Sequence, residues 1–216
     1  MNLTIRKLTP QLAADYFDFF ENRAFTDDSP YRCYCQVHQM SKTEYAAAYD
    51  NMDWSDVGRA SREEAARQIA AGILQGYLAY TDGIAIGWCN TNDRANYPAE
   101  PQHDVPFHAP PEKREKAVIC FEIAPEYRKK GVATALLQQV VADAKTEGYA
   151  AVVGFPIVRE ERYEWDCRGP LRLYEKVGFI QAAEHTECAE MRKNLNIDRR
   201  NPHDNAKNHS GCGSRH

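Results

Sequence analysis

Apolar and polar residues alternate from Leu3 to Lys7, a period of two that predicts a first strand. From Thr9 or Gln11 the period lengthens. Leu12, Tyr16, Phe19, Phe20 and Ala24 recur at helical spacing, so a helix is expected through Phe25. Thr26-Asp27-Asp28-Ser29-Pro30 then supplies turn chemistry. Ser61-Arg62-Glu63-Glu64 has the form of a capping box, and Ala65, Ile69 and Ile73 keep a helical stripe toward Gly72 and Gly76. A second helix is therefore expected from about Ser61. Tyr77–Tyr80 and Ile84–Cys89 are apolar runs around Thr81-Asp82-Gly83, and an Asp-Gly step between such runs predicts a hairpin.

From Thr91 to Lys116 the chain is polar and carries five prolines (Pro98, Pro101, Pro106, Pro110 and Pro111). That predicts a long loop, and loops of this length are more often functional or mobile than idle. Ala117–Ile123 is a continuous apolar run, as expected of a strand covered on both faces. Val132, Leu136, Leu137, Val140, Val141 and Ala144 then share one helical face, with Gly148 as the stop. Ala150–Phe155 reads as another buried strand, and Gly169-Pro170 opens a helix through Lys176. Gly178-Phe179-Ile180 begins a further strand, and Thr186–Leu195 closes the sheet. Beyond Asn196 the composition turns to Asn, His, Arg, Lys, Gly and Ser, which predicts a disordered tail over 196–216.

Composition adds mainly exclusions. At 216 residues with 43% hydrophobic and 27% charged content, the chain suits one larger soluble domain. A net charge of −4 argues against a general nucleic-acid-binding surface. No apolar run reaches the length of a membrane span, and Met1–Arg6 lacks a signal-peptide pattern. The seven cysteines are odd in number and lack disulfide-scaffold spacing, which places the protein in a reducing cytoplasm.

The densest chemistry lies in Phe121–Leu137, which reads as strand, basic glycine-containing turn and amphipathic helix. That order gathers several backbone N–H groups and a helix N-terminus at one point, where a pyrophosphate is attracted. Gly131 has no Cβ to obstruct a close backbone approach, Ala133 is small for the same reason, and Arg128, Lys129 and Lys130 add positive charge. A solvated basic turn is the bland alternative. The string Ile123-Ala124-Pro125-Glu126-Tyr127-Arg128-Lys129-Lys130-Gly131-Val132-Ala133 resembles the acyl-CoA-binding motif of the GNAT acetyltransferase family. Leu173-Tyr174-Glu175-Lys176-Val177-Gly178-Phe179 resembles that family's second signature. Two motifs in the right order are far more specific than either alone.

The resemblance spans Leu3 to about Leu195 and implies a single α/β domain. Its sheet would be mixed and mostly antiparallel, with helices on both faces. It implies acetyl-CoA as acyl donor, transferred directly to an amine on a small molecule or peptide, with no nucleic acid or membrane partner. A homodimer is one assembly open to it. The strand ending at Ile123 would splay from its neighbour and offer backbone hydrogen bonds to the pantetheine arm. Arg128, Lys129, Lys130, Gly131, Val132 and Ala133 would wrap the pyrophosphate. Tyr174 falls where the family often places a general acid for the departing thiolate; packing of the helix on the sheet is its structural alternative. The family often has Asn and Ala where this chain has Cys167 and Pro170, which puts a side-chain contact from position 167 in doubt.

Transfer to an amine requires a base. Glu122, a carboxylate in an apolar strand, is one candidate; a strand-end residue facing water or a cation is the alternative. His103, Asp104 and His108 in the long loop are others. Cys33-Tyr34-Cys35 with His38 has the makings of a zinc or redox centre, but its spacing matches no common zinc module, so a wall of the acceptor pocket or simple packing is favoured and no metal is expected. Cys120 reads as a small core residue. His203, His209, Cys212 and His216 need no function in a flexible terminus. A subset of GNAT-like proteins shares the Cys-x-Cys segment, Cys120-Phe121 and Gly169-Pro170, without an implied substrate. Two rivals remain: a binding module that senses acyl-CoA without turning it over, and a metal or redox protein built on Cys33, Cys35 and His38.

Overall fold

The computed structural model describes residues 1–26, 33–101, 105–158 and 166–195. Within them, β1 (Thr4–Lys7), β2 (Gly76–Thr81), β3 (Ile84–Asp93), β4 (Glu115–Ile123), β5 (Ala151–Gly154), β6 (Ile180–Glu184) and β7 (Ala189–Asn194) form one sheet. The strand order is β1-β2-β3-β4-β5-β7-β6. Every neighbouring pair is antiparallel except β4 and β5, which run parallel. The β2–β3 hairpin closes as its Asp-Gly step predicts, with Asp82 at φ 50° and Gly83 at φ 78°, both left-handed.

Two layers of helix cover this mixed, mostly antiparallel sheet. On one face, Tyr16, Phe19 and Phe20 of α1 (Ala13–Asn22) and Ala65 and Ile69 of α3 (Trp54–Ala70) pack with Leu78, Trp88 and Ile119. On the other, Leu136, Leu137 and Val140 of α4 (Val132–Thr146) and Leu173 and Tyr174 of α5 (Leu171–Lys176) pack with Ile86, Val118 and Val152.

Two sequence expectations need correction. The helix expected from Ser61 begins seven residues earlier, behind Asp53, so Ser61 lies inside it. Its first two turns mix Trp54, Val57 and Ala60 with Ser55, Asp56, Gly58 and Arg59, and no apolar stripe announces them. The capping box of the region is formed instead by Ser41 and Glu44, which open α2 (Lys42–Tyr49): Glu44 N–H donates to Ser41 Oγ at 3.2 Å and Ser41 N–H to Glu44 Oε2 at 2.8 Å.

The long loop is also shorter than expected, spanning 94–114, because β3 runs to Asp93 and β4 begins at Glu115. Polar residues enter these strands because they are paired. Buried Arg94 donates to Glu115 (2.7 Å) and to the carbonyls of Pro106 (2.5 Å) and Phe107 (2.9 Å), and Arg192 reaches the other Glu115 oxygen at 2.7 Å. Buried Lys116 donates to Glu147 at 2.6 Å. The predicted turn at 27–30 and the tail from 196 lie outside the described residues.

Candidate active site

β4 is the strand that shapes the site. Its register against β3 steps between Asn90 and Thr91: Asn90 faces Cys120 while Thr91 faces Val118. Ile119 is thus the extra residue of a bulge, which bends the strand and re-aims the side chains beyond it. Ile119 and Cys120 both join the α1-side core, while Phe121 joins the α4-side core. Against β5, pairing covers only Glu115–Val118 with Ala151–Gly154. Beyond that point the two parallel strands separate. The turn at 166–169 lies in the gap, and Phe121 N–H donates to the Cys167 carbonyl at 2.6 Å.

The chain leaves β4 through a 3-10 turn at Pro125–Tyr127, and Lys129 (φ 61°) and Gly131 (φ 87°) are both left-handed. Gly131 is the N-cap of α4, and no side chain caps this helix end. A Cβ built on Gly131 meets nothing within 4 Å, so the glycine answers to its backbone angle and to the space in front of it. The first-turn N–H groups of α4 therefore open toward the end of β4, beside exposed Lys129 and Lys130. Arg128 is turned the other way. Its backbone N–H donates to Pro125 at 3.2 Å, and its guanidinium reaches the Ile123 carbonyl at 3.0 Å and Glu122 at 3.4 Å.

Glu122 stands at this strand end with its side chain 15% exposed. Burial, reinforced by the neighbouring Cys167, raises its carboxyl to about 8 against the opposing pull of Arg128. Tyr174 is fully buried on α5. Its ring meets Phe121 and Phe179 at 6.3 and 5.4 Å between centroids, and lies against Gly154 so closely that a Cβ there would sit 2.0 Å from Cε1. Its hydroxyl donates to the Arg168 carbonyl at 2.9 Å, and burial holds its pKa well above the usual tyrosine value. The packing role and a position beside the splay thus coexist in one residue.

His108, one candidate base, turns Nδ1 onto the Tyr97 carbonyl at 2.8 Å, in the loop that Arg94 holds at the Glu115 end of β4, away from Glu122. His103 and Asp104 lie outside the described residues.

The fold also joins thiols that the sequence keeps apart. Cys35, on the segment after α1, is held against β3 by Asn90, whose Nδ2 reaches its carbonyl at 2.9 Å and its Sγ at 3.3 Å. Burial opposes ionisation of Cys35, but Cys120 and His38 outweigh it and lower this thiol to about 6. Burial likewise disfavours a charged His38, yet Cys167 and Cys35 raise its imidazole to about 9. The sequence marks Cys35 and His38 as a pair; their meeting with Cys120 and Cys167 depends on the bulge and on the 166–169 turn. Among the described residues no group of three or more His, Cys, Asp or Glu is arranged to hold a metal ion. No described helix is long and apolar enough to cross a membrane.

The model of the Acetyltransferase (GNAT) family matches residues 36–179, well over half of the chain. Solved structures share the fold at low identity. The PaiA N-acetyltransferase of Thermoplasma acidophilum, in complex with coenzyme A, is 15% identical with a TM-score of 0.50, over 90% of this chain and 100% of that one. A GNAT acetyltransferase of Streptococcus pneumoniae is 15% identical with a TM-score of 0.51, over 90% and 99%. The ribosomal-protein-S5-alanine acetyltransferase of Vibrio fischeri is 10% identical with a TM-score of 0.55, over 91% and 94%. None of the curated proteins matches the chain.

Proposed function

The chain belongs to the GNAT family of acetyltransferases, and from that premise we propose that it moves an acetyl group from acetyl-CoA directly to an amine of a small molecule or peptide, in the cytoplasm. The observation that carries this reading is the uncapped N-terminus of α4 behind left-handed Gly131, set against the open end of β4. Lys129, Lys130, Gly131, Val132 and Ala133 would hold the pyrophosphate by backbone N–H groups and charge. Arg128, whose own N–H is engaged, would contribute by bracing the Glu122–Ile123 strand end. The main chain at Ile123 would align the pantetheine arm. Acetyl-CoA supplies an activated acyl group, and the protein's part is position and proton transfer. Glu122 would take a proton from the amine. Tyr174, kept protonated by burial, would give one to the departing thiolate.

Titration calorimetry with acetyl-CoA, followed by a screen of amine classes read by CoA release, tests the proposal. Binding and release with at least one class are expected, and absence of acetyl-CoA binding would overturn it. One observation favours a second reading, a sensor that binds acyl-CoA without turnover: the Tyr174 hydroxyl is already satisfied by Arg168. Tyr174→Phe separates the two. Under the enzymatic reading turnover drops roughly a hundredfold or more while acetyl-CoA affinity holds; a sensor loses nothing.

A further inference from the structure

The acyl-transfer reading gives no role to the thiols beside it. Four of the six described cysteines, Cys33, Cys35, Cys120 and Cys167, come from three separate segments and act on one another electrostatically; all six are free. The contact between Cys120 and Cys167 is the best defined of these. The Cys167 carbonyl accepts from Phe121 N–H at 2.6 Å, which sets the backbone of residue 167 alongside that of residues 120–121. Each of these thiols has the other as its strongest influence, ahead of burial.

Their environments differ in the way a redox pair requires. Cys167 is partly exposed, while Cys120 is 2% exposed and Cys35 1%. The Cys120 hydrogen bond, followed by His38, holds Cys167 well below the ordinary thiol range, whereas Cys120 is raised and keeps its proton. A low-pKa thiolate on a partly exposed turn, next to a buried resolving thiol, is the arrangement that reacts selectively with peroxides. We propose that Cys167 and Cys120 form a peroxide-reactive pair that closes to a disulfide between β4 and the 166–169 turn docked on it.

The chemistry balances with a hydroperoxide as oxidant. The Cys167 thiolate attacks the terminal peroxide oxygen; an S–O bond forms, the O–O bond breaks, and the leaving alkoxide or hydroxide takes up a proton. Sulfur is oxidised to the sulfenic acid and the peroxide is reduced. Loss of the Cys167 charge removes the largest of the influences that keep Cys120 protonated, ahead of Cys35 and burial, so Cys120 gives up its proton more readily and attacks the sulfenic sulfur. The S–S bond forms, the S–O bond breaks, and hydroxide leaves as water with the Cys120 proton. A dithiol reverses the step. The bridge would tie β4 to the turn whose Arg168 carbonyl holds Tyr174.

Peptide mapping of the intact, folded protein after hydrogen peroxide treatment and alkylation tests this without any coenzyme, so its outcome is independent of the acyl-transfer reading. A dithiothreitol-sensitive link between the Cys120 and Cys167 peptides is expected, forming roughly tenfold or more faster than in the urea-unfolded chain. Cys120→Ser should leave Cys167 trapped as a dimedone-reactive sulfenic acid. A Cys33–Cys35 bridge in place of that link, or oxidation no faster than in the unfolded chain, would overturn the proposal; the wild-type map alone decides both.

Discussion

Glu122 illustrates how one carboxyl can be costly to the fold and useful to the reaction. Its carboxyl is raised by burial from 4.5 to about 8. Between those values the unfolded chain has released its proton and the folded protein still holds it, so stability falls as pH rises through that window and levels off above about 8. Glu122→Gln should remove this slope and gain roughly 1–3 kcal/mol at pH 8, measured by urea unfolding at pH 5 and pH 8. A variant with the wild-type slope would show that the carboxyl is ionised throughout. The same shift bears on catalysis. A base must be unprotonated, so kcat/KM should rise with pH through about 8. Glu122→Gln should lose that limb and about a hundredfold or more in rate. An unchanged profile would assign the limb to the amine itself.

At the scale of elements, the N-terminus of α4 carries the clearest separation of fold from function. Gly131 is left-handed, so any side chain there costs about 1–2 kcal/mol in backbone strain, yet the space around its Cβ is empty. Gly131→Glu should therefore fold, with a modest drop in melting temperature. It should also set a carboxylate where the pyrophosphate is proposed, weakening acetyl-CoA by roughly a hundredfold or more in calorimetry. Full-strength binding would place the phosphates elsewhere. This element was readable from sequence because glycine, flanking cations and the apolar stripe of the helix are all local features. The β2–β3 hairpin was readable for the same reason, since the two left-handed residues are the Asp and Gly themselves. α2 was not read as a helix, because Lys42–Tyr49 pairs polar residues with alanines and has hardly an apolar face. The thiol group was half readable. Cys35 and His38 announce themselves by spacing, but Cys120 and Cys167 join them only through a bulge at Ile119 and a turn docked on Phe121, and both are products of strand register.

Across the whole molecule, buried charged groups at the start of the 94–114 loop and the start of β4 decide how that loop is held. Arg94 is 6% exposed and Glu115 3% exposed, and between them they bind Arg192 and three carbonyls of the 106–108 segment. Such a network stabilises less than its short distances imply, because each charge has been withdrawn from water. Breaking it is a different matter. Arg94→Met would keep most of the volume but leave the loop carbonyls without their donor and Glu115 with one partner in place of two. A loss of about 3–5 kcal/mol is expected. Arg94→Lys should recover only part of it, since one ammonium cannot span the fork of contacts that the guanidinium makes. The consequence should reach the site, because Phe107 of this segment packs edge-on against His38 at 5.8 Å and against Phe155 at 5.3 Å. Freed at its Arg94 anchor, the loop would expose the imidazole that supports the thiolates. Calorimetry should then show the lowered melting temperature, and alkylation at neutral pH should show Cys35, buried in the native protein, reacting at a rate that rises with the loss of stability. If Cys35 stays as protected as in the wild type while the melting temperature falls, the ion network holds the loop alone and the thiols are kept in place by β3 and Asn90.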